Sequence, residues 1–229
     1  MLKVIYEDNH IIAVYKPSGV LTQGDRSGDR SLMDDVKNYL KEKYKKPGNV
    51  FLGLVHRLDK PVSGIVLFGK TSKGASRLSE QFREHTIQKT YHGIVVGKPK
   101  ENKGVLKEQV NKISFFAEGF TNKTDEELLA EIKKATKTRT AELEYEVIKS
   151  NDKFSLLKIL PKTGRFHQIR IQMAEMGCPI LGDAKYSNQR ALPDGSIGLS
   201  ATAIKFKSAT DDKTINLEIP LNESWNKYI

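Results

Sequence analysis

The sequence predicts an α+β fold in which many short strands pair into a sheet and a few helices pack beside it. Short segments with the alternating or β-branched composition of strands recur along the chain, several of them in adjacent pairs separated by turn residues. Far fewer segments place apolar residues at the spacing of an α-helix. The chain has 229 residues, of which 38% are hydrophobic, and this is enough for a substantial core. One large domain or two small ones are therefore expected.

The first 45 residues are predicted to form a hairpin and then a helix. Residues 3–6 and 11–15 are short strands separated by the turn at 7–10. Lys16-Pro17-Ser18-Gly19 ends the second strand and is compatible either with a plain turn or with a functional segment. After a polar loop, Ser31 and Asp34 form a capping pair that predicts a helix to about residue 45, before Pro47-Gly48.

The middle of the chain is predicted to alternate between strand and helix. Two apolar runs, 50–55 and 65–68, flank the turn-forming Gly64, and the first of them is interpreted as a buried strand. A second helix follows from about residue 70 to residue 85, with a strand at 90–96. Residues 98–140 are interpreted as an insertion or lid with a short helix at 124–134, which has a capping box at its start.

The last third is predicted to be largely β-structure with one helix. Residues 141–148 and 154–160 flank an Asn-Asp-Lys turn and predict an antiparallel hairpin. Ile169, Met173 and Met176 fall on one face of a following helix. Two further alternating strands are expected at 203–207 and 215–220.

The composition indicates a polyanionic partner. The net charge is +10 and the pI is near 9.5, and clustered Lys and Arg gain free energy by releasing counterions from phosphates. The single cysteine, Cys178, excludes an internal disulfide framework and fits a reducing compartment. No signal pattern or membrane-length apolar run is present, so a cytoplasmic protein is expected. Cysteine pairs, clustered histidines and a phosphate-binding glycine loop are missing, so no metal or cofactor is expected.

The segment 55–64 carries the strongest signal for chemistry. Asp59 follows an apolar run and lies among His56, Arg57 and Lys60, with Pro61 directly after it. An acid held rigidly at the end of a strand is a plausible nucleophile, and we expect Arg57 and Lys60 to keep it ionised. For an arbitrary Asp beside basic residues, a surface turn with a solvated ion pair is the more common situation.

The string His56-Arg57-Leu58-Asp59-Lys60-Pro61-Val62-Ser63-Gly64 resembles the catalytic motif of the RluA-type pseudouridine synthases. Three further segments resemble the family's pattern in the right order. They are Lys89-Thr90-Tyr91, the run Gly164-Arg165-Phe166-His167-Gln168-Ile169-Arg170, and Gly177 to Asp183 with Tyr186. Lys16-Pro17-Ser18-Gly19 matches in part, because Tyr15 stands where the family usually has Asn. Leu199-Ser200-Ala201 departs from the family's Leu-His-Ala.

The resemblance implies a fold and a set of site residues. The fold would be the pseudouridine synthase fold, an α+β fold whose mixed, mostly antiparallel sheet is bent around a central catalytic cleft and flanked by helices. Asp59 would be the essential carboxylate, Arg170 its salt-bridge partner and Tyr91 the residue that stacks on the target uracil. Arg57 would fill the gap left by the flipped base. The RNA-binding set would be completed by His56, Lys60, Arg165, His167 and Gln168, and the apolar pocket walls by Leu58 and Ile169.

The reaction implied by the resemblance is the isomerisation of uridine to pseudouridine in rRNA or tRNA, without metal or cofactor. Asp59 would attack ribose C1′, attack the pyrimidine ring or abstract a ribose proton. We expect residues 1–229 to form a single catalytic domain that acts as a monomer, with 100–140 as a variable insertion. We do not expect the family's ribosomal-protein-like front domain, because the first motif begins within sixteen residues of Met1.

Two other classes of protein are alternatives to an isomerase. A non-catalytic RNA-binding protein or chaperone with this fold would be expected to lose Asp59, Tyr91 or Arg170, and all three are present. A carboxylate-using hydrolase of nucleosides or sugars usually needs a second carboxylate near the first. The acids nearest to Asp59 in sequence, Glu42 and Glu80, are 17 and 21 positions away, which weakens that alternative.

Overall fold

The computed structural model describes residues 2–25, 28–110 and 139–229. The strands are β1 (Lys3–Glu7), β2 (Ile11–Lys16), β3 (Gly53–Leu54), β4 (Ser63–Gly69), β5 (Gln88–Val96), β6 (Lys103–Val110), β7 (Arg139–Ser150), β8 (Phe154–Pro161), β9 (Leu199–Lys207) and β10 (Thr214–Glu218). The helices are α1 (Leu32–Lys43), α2 (Ser72–Arg83) and α3 (Gln168–Glu175), with a 3₁₀ turn at Glu223–Lys227.

The described strands form one mixed sheet in the order β1-β2-β4-β9-β5-β8-β7-β6, with β3 paired to β4 and β10 to β9. All pairings are antiparallel except that of β4 with β9, where Ser63 and Gly64 lie beside Ser200 and Ala201. This short parallel junction joins the first four strands to the rest of the sheet. The predicted α+β class with a mixed, mostly antiparallel sheet is confirmed.

Helices cover both faces of the sheet. The central strands β2 and β4 are buried on both sides, and their side chains alternate between two cores. On β4, Val66 and Phe68 pack in the core that includes residues of α1 and α3, whereas Ile65 and Leu67 pack in the core that includes α2. A strand buried on both faces needs apolar side chains at every position, which explains the unbroken run at 65–68.

The predicted helix and hairpin signals correspond to real elements. Ser31 and Asp34 form a complete capping box on α1, and Thr71 caps α2. The turn between β7 and β8 is closed by Asn151, whose side-chain oxygen accepts from the N–H groups of Lys153 and Phe154. These signals are local, so they could be identified without knowledge of the tertiary fold.

Three details differ from the sequence-based expectation. The run at 50–55 contributes only the two-residue strand β3, and Phe51 is exposed. Gly64 lies within β4, and the turn falls earlier, where the Val62 N–H donates to the Asp59 carbonyl. Part of the proposed insertion, β6, pairs along its length with β7 at the end of the sheet. The predicted helix at 124–134 lies outside the described residues.

No helix in the described part of the chain has the length and apolar character needed to cross a membrane.

Candidate active site

Asp59 lies in the loop between β3 and β4, at the floor of a large open cleft. The loop is closed by the bond from the Val62 N–H to the Asp59 carbonyl, at 3.0 Å, and is stiffened by Pro61. The Asp59 side chain is 24% exposed, so it is sheltered and still accessible from the cleft.

The buried side chain of Lys16 holds this loop in place through hydrogen bonds. Its side chain is fully buried, and its ammonium donates to the carbonyl oxygens of Pro17, Val20 and Lys60 at 2.6–3.1 Å. Burial lowers the pKa of Lys16 to about 8, and the negative charge of Asp59 opposes that shift. The segment Lys16-Pro17-Ser18-Gly19 is therefore more than a plain turn, because its lysine ties the end of β2 to the residue after Asp59.

Thr22 holds the residue before Asp59. Its hydroxyl donates to the Leu58 carbonyl at 2.9 Å and accepts from the Leu58 N–H at 3.2 Å. Thr22 and Leu58 are 3% and 6% exposed, so both bonds are shielded from water. Thr22 was not recognisable as a site residue from the sequence, since a lone threonine after a turn carries no distinguishing pattern.

The predicted ion pair between Asp59 and Arg170 is present, and it extends to a third residue. Arg170 Nη1 lies 3.1 Å from Asp59 Oδ2. Its Nε and Nη2 donate to the two oxygens of Asp183 at 2.7 and 2.8 Å. Burial alone would lower the pKa of Arg170, but the two carboxylates outweigh it and the pKa is raised. Asp183 belongs to the segment Gly177 to Asp183 that resembles the family's pattern, and in the structure its carboxylate binds the Arg170 guanidinium.

Arg170 reaches Asp59 because of the way α3 begins. The N-cap residue, His167, has a left-handed backbone with φ of 50°, and its side chain makes no capping bond. The first turn of the helix then carries a buried cation, which opposes the helix dipole and requires anionic partners. Asp59 and Asp183 are these partners.

His167 makes a second contact with Asp59. Its Nε2 lies 3.4 Å from Asp59 Oδ2, and its Nδ1 lies 2.6 Å from the Tyr186 hydroxyl. Burial lowers the pKa of His167 to about 4, against the opposing effect of Asp59, so the imidazole is neutral at pH 7. Because Nε2 faces a carboxylate it carries the proton, and Nδ1 then accepts from Tyr186.

Tyr91 lies on β5, next to a bulge between Thr90 and Tyr91 in the pairing with β9. Its ring is partly buried and lines the same cleft as Asp59. Burial raises the pKa of Tyr91 and the nearby negative charge of Asp59 raises it further, so the phenol stays protonated at neutral pH. Three distant segments of the chain thus bring Asp59, Tyr91 and Arg170 to one cavity.

The cleft has a volume of about 1110 Å³. Its apolar walls include Leu58 and Ile169, as the sequence analysis expected, and both are almost completely buried. Most of the charged side chains around it are basic, namely Arg57, Lys60, Arg83, Lys89, Arg165, Arg170 and Lys185. A cavity of this size with a basic rim suits a nucleotide that belongs to a longer polyanion.

Two residues of the predicted RNA-binding set, His56 and Gln168, use their side chains for contacts within the protein. The His56 ring stacks on Phe82, and its Nε2 accepts from the Leu67 N–H at 2.9 Å. Gln168 is 5% exposed, and its amide bonds to Thr163, the Arg165 N–H and the Glu142 carbonyl. Both side chains therefore hold neighbouring backbone in place, and both also line the cleft, so their contact with RNA stays a prediction.

The basic residues nearest to Asp59 in sequence do not make its ion pair. Lys60 Nζ lies 3.4 Å from Asp29, and Arg57 is an exposed residue of the cleft wall. The ion-pair partner of Asp59 in the described residues is therefore Arg170, and the sequence-based expectation for Arg57 and Lys60 is corrected in this respect. Both remain where RNA could contact them.

The described residues contain no group of three or more His, Cys, Asp or Glu side chains arranged to hold a metal ion.

Comparison with known proteins identifies the family of this chain. A family model described as RNA pseudouridylate synthase matches residues 10–175. A ribosomal large subunit pseudouridine synthase C from Rickettsia bellii (strain RML369-C) is 32% identical over 226 residues, covering 98% of this chain and 70% of that protein. The protein of the same name from Rickettsia felis (strain ATCC VR-1525 / URRWXCal2) is 35% identical over 220 residues, covering 95% of this chain and 67% of that protein.

A tRNA pseudouridine synthase C from Pectobacterium carotovorum subsp. carotovorum is 34% identical over 243 residues, covering all of this chain and 61% of that protein. Among solved structures, human RNA Pseudouridylate Synthase Domain Containing 4 superposes with a TM-score of 0.77 at 22% identity, over 98% of this chain and 90% of that one. The structural match supports the fold, and the sequence matches support the lineage. The chain belongs to the RNA pseudouridylate synthase family.

Proposed function

We propose that this pseudouridine synthase isomerises a specific uridine in structured RNA, with Asp59 as its essential carboxylate. The observation that carries the proposal is the contact of Arg170 with Asp59 at 3.1 Å, in a cleft lined by Tyr91 and rimmed with basic side chains. We propose large-subunit ribosomal RNA as the first substrate to test, because several relatives are named for it, and transfer RNA as the second.

The chemistry requires no net change in composition. The bond between uracil N1 and ribose C1′ breaks, a bond from C5 to C1′ forms, the C5 proton leaves, and N1 ends with a proton. Asp59 attacks C1′, attacks the ring or abstracts a ribose proton, and each of these routes needs an ionised carboxylate. The Arg170 guanidinium lies 3.1 Å from that carboxylate and supplies a charge-assisted hydrogen bond to it.

The other cleft residues bind and orient the nucleotide. Tyr91 offers a flat face on which the extruded uracil stacks, a contact typically worth about 1–3 kcal/mol. Leu58 and Ile169 form apolar walls around it. Arg57, on the exposed wall, fills the gap in the RNA that base flipping leaves, and flipping costs a few kcal/mol. Lys60 and Arg165 hold the backbone phosphates.

We further propose that the protein works as a cytoplasmic monomer, without metal or cofactor. An isomerisation of this kind needs no energy source, and the contacts described above require only side chains. Inclusion of EDTA in the assay tests the metal part of this proposal directly.

The test uses purified protein and unmodified transcripts of ribosomal and transfer RNA, with pseudouridine mapped at single-nucleotide resolution. We expect conversion at one or a few positions by the wild-type protein. Asp59→Asn is expected to abolish conversion while RNA binding survives, and Asp152→Asn, at an exposed hairpin turn, is the matched control. Full activity of Asp59→Asn would remove the carboxylate from the mechanism. RNA binding without conversion by the wild-type protein would favour the non-catalytic alternative.

A further inference from the structure

Phe166 is an exposed aromatic residue at the mouth of the cleft. Its relative exposure is 58%, which equals the largest value found for a bulky hydrophobic residue in the described chain. The other exposed residues of this kind, Tyr44, Phe51, Val105, Ile148 and Leu221, do not line the cleft. A single exposed aromatic residue is common on protein surfaces, so it is the position of Phe166 in the cleft lining that makes it a candidate contact for a ligand.

The ring of Phe166 is held in a defined orientation. It stacks on the His167 ring with a centroid distance of 3.7 Å and an interplanar angle of 18°. The His167 ring is fixed in turn by Tyr186 at 2.6 Å and lies 3.4 Å from Asp59. The left-handed backbone of His167 turns the chain at this point, just before α3 begins. Phe166 is therefore a pre-organised platform, and a partner that stacks on it loses little entropy by ordering it.

The charges near Phe166 indicate the kind of partner. Arg165, the preceding residue, donates from its Nε to the Thr140 carbonyl at 3.2 Å, so its guanidinium is anchored. Lys185 lines the same cleft, with its ammonium 5.6 Å from the centroid of the Tyr186 ring. A flat aromatic face beside cationic groups is the combination that binds single-stranded nucleic acid, where bases stack and phosphates pair with Arg and Lys.

We propose that Phe166 forms a second nucleobase subsite, which stacks on a base next to the target uridine in the same RNA strand. The inference rests on the proposed function, because it assumes that the target uridine occupies the floor of the cleft against Tyr91. The subsite makes Phe166 a specificity-determining residue. Since stacking grows with ring area, it favours a purine at the stacked position and is otherwise tolerant of sequence.

The experiment compares Phe166→Leu, which removes the aromatic face, with Phe166→Tyr, which keeps it. Phe51→Leu is the matched control, because Phe51 is 51% exposed and lies outside the cleft. The probes are an unmodified large-subunit rRNA transcript and two versions of it, each with an abasic residue on one side of the converted uridine. Single-turnover rates are measured as a function of protein concentration.

We expect Phe166→Leu to raise the half-saturating concentration by roughly five- to hundredfold, with little change in the rate at saturation. One abasic substitution should weaken the wild-type protein by a similar factor and leave Phe166→Leu unaffected. Phe166→Tyr and Phe51→Leu should behave like the wild-type protein. Equal sensitivity of wild type and Phe166→Leu to both abasic substitutions would overturn the proposal. A loss confined to the rate at saturation would also overturn it, because it would show a purely structural effect on His167.

A binding measurement separates this proposal from the proposed function. In the Asp59→Asn background no turnover is expected, and the dissociation constant of the unmodified transcript is compared with and without Phe166→Leu. If the wild-type protein converts no uridine, the proposed function fails. A weaker dissociation constant for the double variant would still support the subsite, and an unchanged one would refute it.

Discussion

Arg170 and Asp183 form a bidentate ion pair at 2.7 and 2.8 Å in which both side chains are almost completely buried. The third guanidinium nitrogen, Nη1, is thereby directed at Asp59. Asp183 therefore acts as a positioning residue, since it fixes the plane of the guanidinium that faces the proposed catalytic carboxylate. The guanidinium group is planar and has five N–H donors, so it can bind Asp183 through two nitrogens and Asp59 through the third. A lysine ammonium could not reproduce this arrangement.

Asp183→Asn is expected to lower both activity and stability. The substitution leaves a buried guanidinium with one full counter-charge fewer, and breaking such a pair typically costs about 3–5 kcal/mol. Misplacement of Arg170 should reduce the single-turnover rate at saturating RNA on the order of a hundredfold. Urea unfolding and the single-turnover assay measure the two effects, with Asp152→Asn as control. A wild-type rate in Asp183→Asn would show that Arg170 needs no such support.

Thr22→Val is expected to loosen the loop that carries Asp59. The change keeps the side-chain shape and removes the hydroxyl that serves both the N–H and the carbonyl of Leu58. Each buried backbone group left without a partner costs about 1–3 kcal/mol. We expect a lower free energy of unfolding and a lower single-turnover rate in Thr22→Val, and recovery of most of both in Thr22→Ser. Equal behaviour of the two variants would mean that the hydroxyl is not what holds Leu58.

Gly64→Ala is expected to be one of the most destabilising small substitutions in this chain. Gly64 has a φ of +132°, and a Cβ there would lie 2.3–2.7 Å from backbone atoms of Ala201 at the parallel junction. The strained conformation and the clash together should cost at least about 3 kcal/mol. Chemical denaturation checks this against Gly24→Ala, whose added methyl group meets nothing within 4 Å. A small loss in Gly64→Ala would mean that the β4–β9 junction can shift without penalty.

The stability of the protein is expected to fall as the pH drops below about 6.5. Burial lowers the pKa of His56 to about 3, with a smaller contribution from Lys89, and burial lowers that of His167 to about 4. In this range the unfolded chain binds protons that the folded protein excludes, so acid favours unfolding.

Each of these histidines should contribute up to about 1.4 kcal/mol per pH unit between its folded pKa and its ordinary value. Urea unfolding at pH 7, 6 and 5 measures the slope before most carboxylates titrate. His56→Gln keeps an acceptor for the Leu67 N–H and should show a shallower slope than the wild-type protein. An unchanged slope would show that His56 does not resist protonation.

Local patterns in the sequence were enough to predict much of the fold. The capping box of α1, the Thr71 cap of α2 and the Asn151 turn depend on neighbouring residues alone, so they were recognisable from composition and spacing. Strand β6 was missed, because its lysines and glutamates resemble a solvated segment unless its pairing with β7 is known. The two-residue length of β3 could not be predicted either, since an apolar run does not show how many backbone hydrogen bonds it makes to a neighbouring strand.

Residue types at fixed spacing were sufficient to identify the family and to single out Asp59 as the candidate acid, and the net charge of +10 indicated a polyanionic partner. Which side chains contact one another could be established only from the folded structure. It joined Asp59 to Arg170 and Arg170 to Asp183, bonded Lys16 to the carbonyl of Lys60, and bonded Gln168 to the carbonyl of Glu142. These relationships cross between segments more than ten residues apart. Their partners are chosen by sheet pairing and core packing, which a linear pattern does not encode.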